Sequence, residues 1–227
     1  MRSDLKRHAD PRGVTLVETL VATGIMAILL ALSFASYRNV SGALDRSRCL
    51  TNLRGIGHAS LTYASENQGR LPGPVRISLQ TVTYTSRAET DPRTLTEFLR
   101  PYLELDVAIG GQTRIADVMV CPAGKKLVLE QGGTVETGRF YTQVTQALFE
   151  DPSVKQYPFG YRYSADNIVE PARLASVSQP SRVQLLRDGV ANSAASKADP
   201  GIPWQQSHGT FYNAVFMDGH VETVPVP

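Results

Sequence analysis

An apolar run with a single charged residue, near the N-terminus, constrains this chain more than any other feature of its sequence. The 22 residues from Val14 to Ala35 carry a single charge, on Glu18. About 20 apolar residues in a helix span the hydrocarbon core of a bilayer, so the run is long enough to cross a membrane. A lone carboxylate costs roughly 2.5–3.5 kcal/mol near the centre of such a helix. We therefore expect Glu18 to have a partner.

The short segment before the run is basic. Residues 1–13 hold four Lys or Arg and two Asp or Glu, and positive flanks stay on the cytoplasmic side of a membrane. A secretory signal peptide is one alternative, but its apolar region is roughly 7–15 residues long and ends at a small-residue cleavage site. This run is longer, and no Ala-x-Ala pattern follows it. A plain signal anchor explains the length but not the hexapeptide at the start of the run.

That hexapeptide is Gly-Val-Thr-Leu-Val-Glu, residues 13–18. It resembles the cleavage site of type IV prepilins and type II secretion pseudopilins. The resemblance implies that prepilin peptidase cuts after Gly13, that the new N-terminus at Val14 is methylated, and that Glu18 acts in assembly as the fifth mature residue. Val14 departs from the family, which most often has Phe at this position.

The rest of the chain is neutral. The formal net charge is +2, and outside residues 1–13 there are 19 Lys or Arg and 19 Asp or Glu. A nucleic-acid function needs a basic patch on the folded domain, so we expect no nucleic-acid partner. The hydrophobic content of 42% allows an ordinary core, and the length leaves room for one domain of about 150 residues.

Cys49 and Cys121 are the only two cysteines. With residues 1–13 in the cytoplasm, both lie in the extracytoplasmic compartment, which permits disulfides. We predict a disulfide between them, and two unrelated buried thiols are the alternative. The chain has no Cys-x-x-Cys motif, so we expect neither a zinc site nor thioredoxin-like chemistry.

Helical periodicity continues beyond the membrane run. One apolar stripe predicts an amphipathic helix that packs on a following domain; it comprises Leu44, Leu50, Leu53, Ile56, Gly57, Leu61 and Ala64. Gly69 is predicted as the C-cap of this helix. The expected organisation is a leader at 1–13, a transmembrane segment at 14–35, the extramembrane half of the helix at 36–69, and a globular domain at 70–227.

Local patterns predict further elements within the domain. Alternation of β-branched residues predicts a strand over 75–85, and a capping pattern predicts a short helix over 91–99. Residues 118–122 are interpreted as a buried segment that runs into a turn, 181–188 as a strand and 191–203 as a loop. The aromatic side chains of Phe159, Tyr161 and Tyr163 are expected to share a core-facing strand face rather than form a ligand platform.

Two strand-like runs at the C-terminus, 212–217 and 220–224, flank Asp218-Gly219. This pattern predicts a hairpin with a two-residue type I′ turn. Such a turn pairs Val215 with Glu222 and places four side chains on the core face, namely Tyr212, Ala214, Phe216 and Val221.

His208 stands ten residues before Asp218, with nine residues between them. The spacing His-x9-Asp-Gly resembles a C-terminal element in a large set of prepilin-like proteins. The segment from Cys49 to Arg54 and the pair Cys121-Pro122 resemble two other motifs of the same set more loosely. We expect the motif to be structural. Gly219 supplies positive φ, Asp218 caps the turn, and His208 fixes the start of the strand by a local hydrogen bond rather than by pairing with Asp218.

The sequence contains no recognisable catalytic motif, neither His-Glu-x-x-His, Gly-x-Ser-x-Gly nor a phosphate loop. Asp188, Asp199 and Asp218 are interpreted as turn residues rather than calcium ligands. We therefore expect a protein that is not an enzyme, with no cofactor and no metal. The predicted fold is α+β and pilin-like: a long N-terminal α-helix, with its first half in the membrane, packed on a mainly antiparallel β-sheet.

The resemblance implies a pseudopilin that forms a pilus or pseudopilus in a type II secretion-like system. Its expected place is the inner membrane, with a single span and an extracytoplasmic C-terminal domain. The expected partners are prepilin peptidase, other pilin-like subunits, inner-membrane lipid and an assembly platform protein. A membrane-anchored binding module for glycans or other small ligands is the alternative, and an anchored hydrolase is disfavoured because catalytic groups are missing.

Overall fold

The computed structural model describes residues 14–76, 79–86, 90–149, 155–164, 167–189, 199–203 and 206–226, with the backbone alone at 34–39. Gly13 and most of the loop predicted over 191–203 lie outside these residues. The chain divides into two compact units, residues 1–43 and residues 44–227.

The first helix, α1 (Leu16–Glu66), extends from the first unit into the second. Within the second unit its buried positions recur every three or four residues, as a helix packed on one side requires: Cys49, Leu53, Ile56, Gly57, Ser60 and Ala64. Leu44 is 54% exposed, so the stripe predicted from that residue begins at Cys49 instead. The predicted stop is confirmed, but Gly69 is not the capping residue: Gln68 takes the left-handed conformation just after the helix, with φ +57°, and the N–H of Gly69 (φ +75°) donates to the carbonyl of Ala64 at 2.8 Å.

Shorter elements make up the rest of the described chain. The helices are α2 (Leu95–Leu99) and α3 (Pro122–Glu130), with 3₁₀ turns at Arg100–Leu103, Asp117–Met119, Leu174–Ser176 and Pro180–Arg182. The strands are β1 (Leu79–Gln80), β2 (Thr83–Tyr84), β3 (Arg114–Ile115), β4 (Tyr141–Thr142), β5 (Gln146–Ala147), β6 (Lys155–Gln156), β7 (Tyr161–Arg162), β8 (Ile168–Val169), β9 (Gln184–Asp188), β10 (Phe211–Phe216) and β11 (Val221–Pro225).

The strands form antiparallel sheets. The largest has five strands in the order β1-β4-β9-β10-β11, and every neighbouring pair in it is antiparallel. The pairs β2–β3, β5–β6 and β7–β8 form three small two-stranded sheets, also antiparallel. The predicted α+β class, with an N-terminal apolar helix followed by antiparallel sheet, is confirmed.

α1 packs closely against β10. A Cβ atom on Gly57 would lie 2.5 Å from Cγ2 of Val215, a distance that real side chains do not tolerate. Glycine at this position therefore lets the helix backbone approach the sheet. Around this contact Leu53, Ile56 and Leu186 are buried in one hydrophobic core.

Three of the predicted elements differ in the structure. Residues 118–122 do not run into a turn, because Pro122 opens α3; proline suits the first helical position, where no N–H partner is needed. The single strand predicted over 75–85 is instead β1 and β2, which belong to different sheets. The predicted aromatic face is also wrong: Phe159 is buried, but Tyr163 is 77% exposed, and Gly160 with φ +64° interrupts the extended backbone.

Candidate functional site

The described part of the predicted processing and assembly segment begins at Val14. α1 starts directly after Thr15, which forms a capping box with Glu18. The N–H of Thr15 donates to Oε2 of Glu18 at 2.9 Å, and the N–H of Glu18 donates to Oγ1 of Thr15 at 3.3 Å. Such a box satisfies two donors at a helix N-terminus reciprocally. Glu18 therefore has a partner in its own helix, and the pattern Thr-x-x-Glu in the sequence could have indicated it.

Large apolar side chains are exposed at Val14 and along the first half of α1. Their exposed fractions range from 53 to 78%, and they comprise Val14, Leu16, Val17, Leu20, Val21, Ile25, Met26, Ile28, Leu29, Leu30 and Leu32. By length and composition, Leu16–Ser33 can cross a membrane. A continuous apolar surface of this kind marks a membrane or protein contact. It is consistent with a single-pass membrane anchor.

A second group of functional candidates is buried in the second unit, around the disulfide between Cys49 and Cys121. The Cα atoms of the two cysteines lie 4.9 Å apart, and both residues are fully buried. Cys49 belongs to α1, and Cys121 is the N-cap residue of α3. The disulfide therefore joins the two helices, in the pairing that the sequence predicts.

His208 lies beside this disulfide. Its side chain is 4% exposed, and its Nε2 atom is 3.7 Å from Sγ of Cys121 and 3.4 Å from Oδ2 of Asp188. Its ring also stacks on Phe211 with the ring centroids 5.6 Å apart. The sequence predicts a local hydrogen bond for His208, but its polar partners among the described residues are distant in the chain.

Asp188, at the end of β9, is the carboxylate at the centre of this group. The backbone N–H of Asn213 and its side-chain Nδ2 both donate to Oδ2 of Asp188, at 2.8 and 3.1 Å. Oδ1 of Asp188 accepts no hydrogen bond from the described part of the chain. Burial raises the pKa of Asp188 to about 7, although the two Asn213 bonds oppose this shift.

Burial also acts on the histidine and on a neighbouring tyrosine. It lowers the pKa of His208, as does the nearby positive charge of Arg46, while Asp45 opposes the change. Burial raises the pKa of the Tyr141 hydroxyl well above its ordinary value, and the charge of Asp188 adds to this effect. The surroundings thus favour the neutral form of all three groups.

A chain of hydrogen bonds connects Asp188 to α1. Asn213 accepts at Oδ1 from the hydroxyl of Thr223 at 3.0 Å, and that hydroxyl accepts from Nη2 of Arg46 at 3.0 Å. The guanidinium of Arg46 also lies 4.4 Å from the centroid of the Phe211 ring. Sequence reasoning missed Asp188, Asn213 and Arg46 as members of the group around His208, because they are separated along the chain and share no motif.

The group does not have the geometry of a catalytic triad. In a triad, the nucleophile and the carboxylate contact opposite nitrogens of the histidine. Here Sγ of Cys121 and Oδ2 of Asp188 both face Nε2 of His208, and Sγ of Cys121 is bonded to Cys49. The described arrangement thus provides no activated nucleophile.

The β10–β11 hairpin has a different loop from the one predicted. Val215 pairs with Val221, and the N–H of Phe216 donates to the carbonyl of His220 at 2.9 Å. The loop therefore has three residues, 217–219. Gly219 has φ +90°, but Asp218 is not among the described residues with positive φ, as a type I′ turn would require. The two-residue loop is therefore wrong, and the geometry matches a type I turn closed by a G1 bulge.

The predicted core face is confirmed only in part: Ala214 and Phe216 are buried as predicted, but Val215, which alternation assigned to the other face of β10, is fully buried as well. With the observed register, Val221 lies opposite Val215, and the core cluster includes Val215 and Met217 with Val221 packed against it. Asp218 accepts at Oδ1 from the N–H of His220 at 3.1 Å. Asp218 thus interacts within its own turn, whereas His208 contacts the disulfide.

Comparison with known proteins gives one family, on the N-terminal segment. A family model described as the prokaryotic N-terminal methylation motif matches residues 10–34. No curated protein and no solved structure matches the chain. The motif supports a type IV pilin-like precursor, and it suggests processing by prepilin peptidase and assembly with other pilin subunits. Proteins of this kind are structural subunits rather than enzymes.

Proposed function

We propose that this chain is a pseudopilin of a type II secretion-like system. Prepilin peptidase removes residues 1–13 as a leader, and the new N-terminus at Val14 is methylated. The mature subunit is held in the inner membrane by residues 14–35. The second half of the helix, 36–69, and the globular domain, 70–227, lie on the extracytoplasmic side. An assembly platform protein then adds it to other pilin-like subunits in a pilus or pseudopilus.

One observation supports this proposal most directly. The methylation motif at residues 10–34 coincides with a helix whose large apolar side chains are exposed. In the inner membrane these side chains contact lipid, and in a fibre the helices of neighbouring subunits replace that lipid. A subunit can therefore leave the membrane without exposing its apolar helix to water.

Glu18 is the proposed assembly residue. Both hydrogen bonds from Thr15 end on Oε2 of Glu18, so the carboxylate keeps a second oxygen for a cation. Cleavage creates a new cation, the methylated amine at Val14. In the family's mechanism, the glutamate at this position pairs with that amine on an adjacent subunit. Attraction between the two charges is stronger among apolar helices than in water, because the dielectric is lower.

The position of the disulfide agrees with an extracytoplasmic domain. Cys49 and Cys121 lie beyond the proposed membrane segment, and structural disulfides persist in oxidising compartments. His208, Asp218 and Gly219 are proposed to serve the structure of this domain, with no enzymatic role.

The processing step has a direct test. We expect mass spectrometry of the mature protein to find a methylated N-terminus at Val14. Gly13→Val should block cleavage, because the peptidase needs close access to the backbone at that residue. A mature protein that still starts at Met1, or one cut near Ala35, would contradict the proposal.

Three variants separate the charge of Glu18 from its capping role. Glu18→Gln retains a capping-box side chain but no charge, Glu18→Ala lacks both, and Thr15→Ala lacks the cap but keeps the carboxylate. We expect all three to be cleaved and inserted in the membrane. Fibre yield should fall sharply for both Glu18 variants and stay near wild type for Thr15→Ala.

The same series also distinguishes an anchor without assembly. If Glu18→Gln forms fibres or subunit crosslinks as efficiently as the wild type, its charge does not act in assembly. If only Glu18→Ala and Thr15→Ala are impaired, Glu18 serves the capping box alone. Normal cleavage of the wild type without any fibre would favour a membrane-tethered binding module.

A further inference from the structure

Three side chains around the disulfide have the chemistry of a metal site. Sγ of Cys49, Sγ of Cys121 and Nε2 of His208 all lie within 4.8 Å of one another. They come from α1, from the residue before α3 and from the turn before β10, so the fold and not a sequence motif brings them together. In the structure the two sulfur atoms are bonded to each other.

The distances suit a small ion once that bond is open. Tetrahedral zinc has Zn–S distances of about 2.3 Å and Zn–N distances of about 2.0–2.1 Å, so its ligand atoms lie roughly 3.5–3.8 Å apart. Nε2 of His208 is already 3.7 Å from Sγ of Cys121. Opening the S–S bond frees the two sulfur atoms to move apart to this spacing, and Sγ of Cys49 is already within 4.8 Å of Nε2 of His208.

The surroundings favour this set of ligands. Both cysteines are fully buried, and the side chain of His208 is 4% exposed. Cys121 caps the N-terminus of the nine-residue helix α3, whose dipole favours a thiolate there. Asp188 lies on the same side of the ring, with Oδ2 3.4 Å from Nε2. Asp188 is not among the residues whose ligand atoms all lie within 4.8 Å of one another, so the fourth ligand of a tetrahedral ion would be a water molecule.

We propose that reduction of the Cys49–Cys121 disulfide turns this cluster into a binding site for a thiophilic cation of the Zn²⁺ class, with Cys49, Cys121 and His208 as ligands. A dithiol reductant supplies two electrons and two protons; its own sulfurs form a disulfide, and the S–S bond of this chain becomes two thiols. On metal binding the two thiol protons pass to solvent. The sequence led to the expectation of no metal, because three residues so far apart in the chain form no recognisable spacing pattern.

Cobalt is a suitable probe of this site. The full-length chain in detergent is reduced with a phosphine under anaerobic conditions and titrated with Co²⁺. We expect one equivalent to bind, with a thiolate-to-cobalt charge-transfer band and the ligand-field bands of a tetrahedral centre. Zn²⁺ should displace the cobalt, and the oxidised protein should show neither type of band.

Two histidine variants make the test specific. His208→Gln should weaken cobalt binding by more than about 10-fold, because even the loss of an outer-shell group that only supports a ligand typically costs 10–100-fold in affinity. His220→Gln is the matched control, because His220 pairs with Asp218 in the hairpin turn, and its affinity should equal that of the wild type. Circular dichroism monitors folding of each reduced sample.

Three results would overturn the proposal. The first is a reduced wild type that shows no tetrahedral cobalt bands. The second is an equal cobalt affinity of the wild type and His208→Gln. The third is a reduced chain that unfolds and does not regain its structure when Zn²⁺ is added. A reduced chain that unfolds and refolds with Zn²⁺, but fails to do so in His208→Gln, would support it.

Discussion

At the scale of single residues, Asp188 is a buried carboxylate with an incomplete set of hydrogen-bond partners among the described residues. It is 1% exposed, it receives two hydrogen bonds from Asn213, and it faces His208 and the hydroxyl-bearing Tyr141. A buried carboxylate without a full set of partners favours its protonated form. This explains why its pKa rises to about 7 in the folded chain.

The pH dependence of stability follows from this pKa. An unfolded Asp titrates near 4, so between about pH 4 and 7 the folded chain holds more protons than the unfolded chain. Stability from Asp188 is therefore fully present below pH 4 and is lost as the pH rises through about 7. Asp188→Asn cannot titrate. From about pH 4 to 7, the wild type should therefore lose stability relative to Asp188→Asn. The difference between their free energies of unfolding should fall by up to a few kcal/mol.

Urea unfolding of both proteins at several pH values between about 4 and 8 measures this difference. The lowered pKa of His208 acts in the opposite direction, because its contribution is fully present above its ordinary pKa and is lost as the pH falls. Because His208 lies 3.4 Å from Asp188, its effect does not cancel between the two proteins, so both are compared in a His208→Gln background. A difference that stays constant, or rises with pH, would contradict the raised pKa of Asp188.

At the scale of elements, two glycines of α1 have different surroundings although they are two residues apart. A Cβ on Gly57 would collide with Val215 of β10 at 2.5 Å, whereas a Cβ on Gly55 would make an ordinary contact of 3.7 Å with Val118. Neither glycine has positive φ. Glycine is therefore needed at position 57 for packing, and nothing comparable requires it at position 55.

Alanine variants of these glycines should change stability in opposite directions. Gly55→Ala should stabilise the chain by up to about 1 kcal/mol through helix propensity. Gly57→Ala should destabilise it by about 1–3 kcal/mol through overpacking, and adding Val215→Ala should recover part of that loss. Thermal unfolding of the three variants checks the order, and a Gly57→Ala variant as stable as Gly55→Ala would show that the sheet yields to the methyl group.

The C-terminal hairpin shows how far local patterns predict an element. Asp218-Gly219 between two β-rich runs correctly located a hairpin, since few other structures suit that pattern. Two-residue and three-residue loops can both use Asp-Gly, and they differ in whether Asp218 takes positive φ. Packing of Val215 and Val221 on the core decides between them, and that packing depends on α1, about 150 residues earlier in the chain.

At the scale of the whole molecule, the sequence predicted elements better than their assembly. The apolar run predicted the exposed first half of α1, and the strand-like runs at 181–188, 212–217 and 220–224 predicted β9, β10 and β11. The order β1-β4-β9-β10-β11 brings together strands from distant parts of the chain, which no local pattern records. The cluster around His208 was missed for the same reason: each of its members is ordinary in its own segment, and only the fold makes them neighbours.

The disulfide is the covalent link between these distant segments, and its removal is the last prediction. It closes a loop of 72 residues, and loop closure of that length restricts the unfolded chain by about 4 kcal/mol. Cys49→Ala combined with Cys121→Ala should therefore lower the free energy of unfolding by about that amount. Urea unfolding measures it, and chemically reduced wild type in the absence of metal is the matched control and should agree with the double variant. If the double variant were as stable as the oxidised wild type, burial of the two helices and not the covalent bond would hold α1 against the rest of its unit.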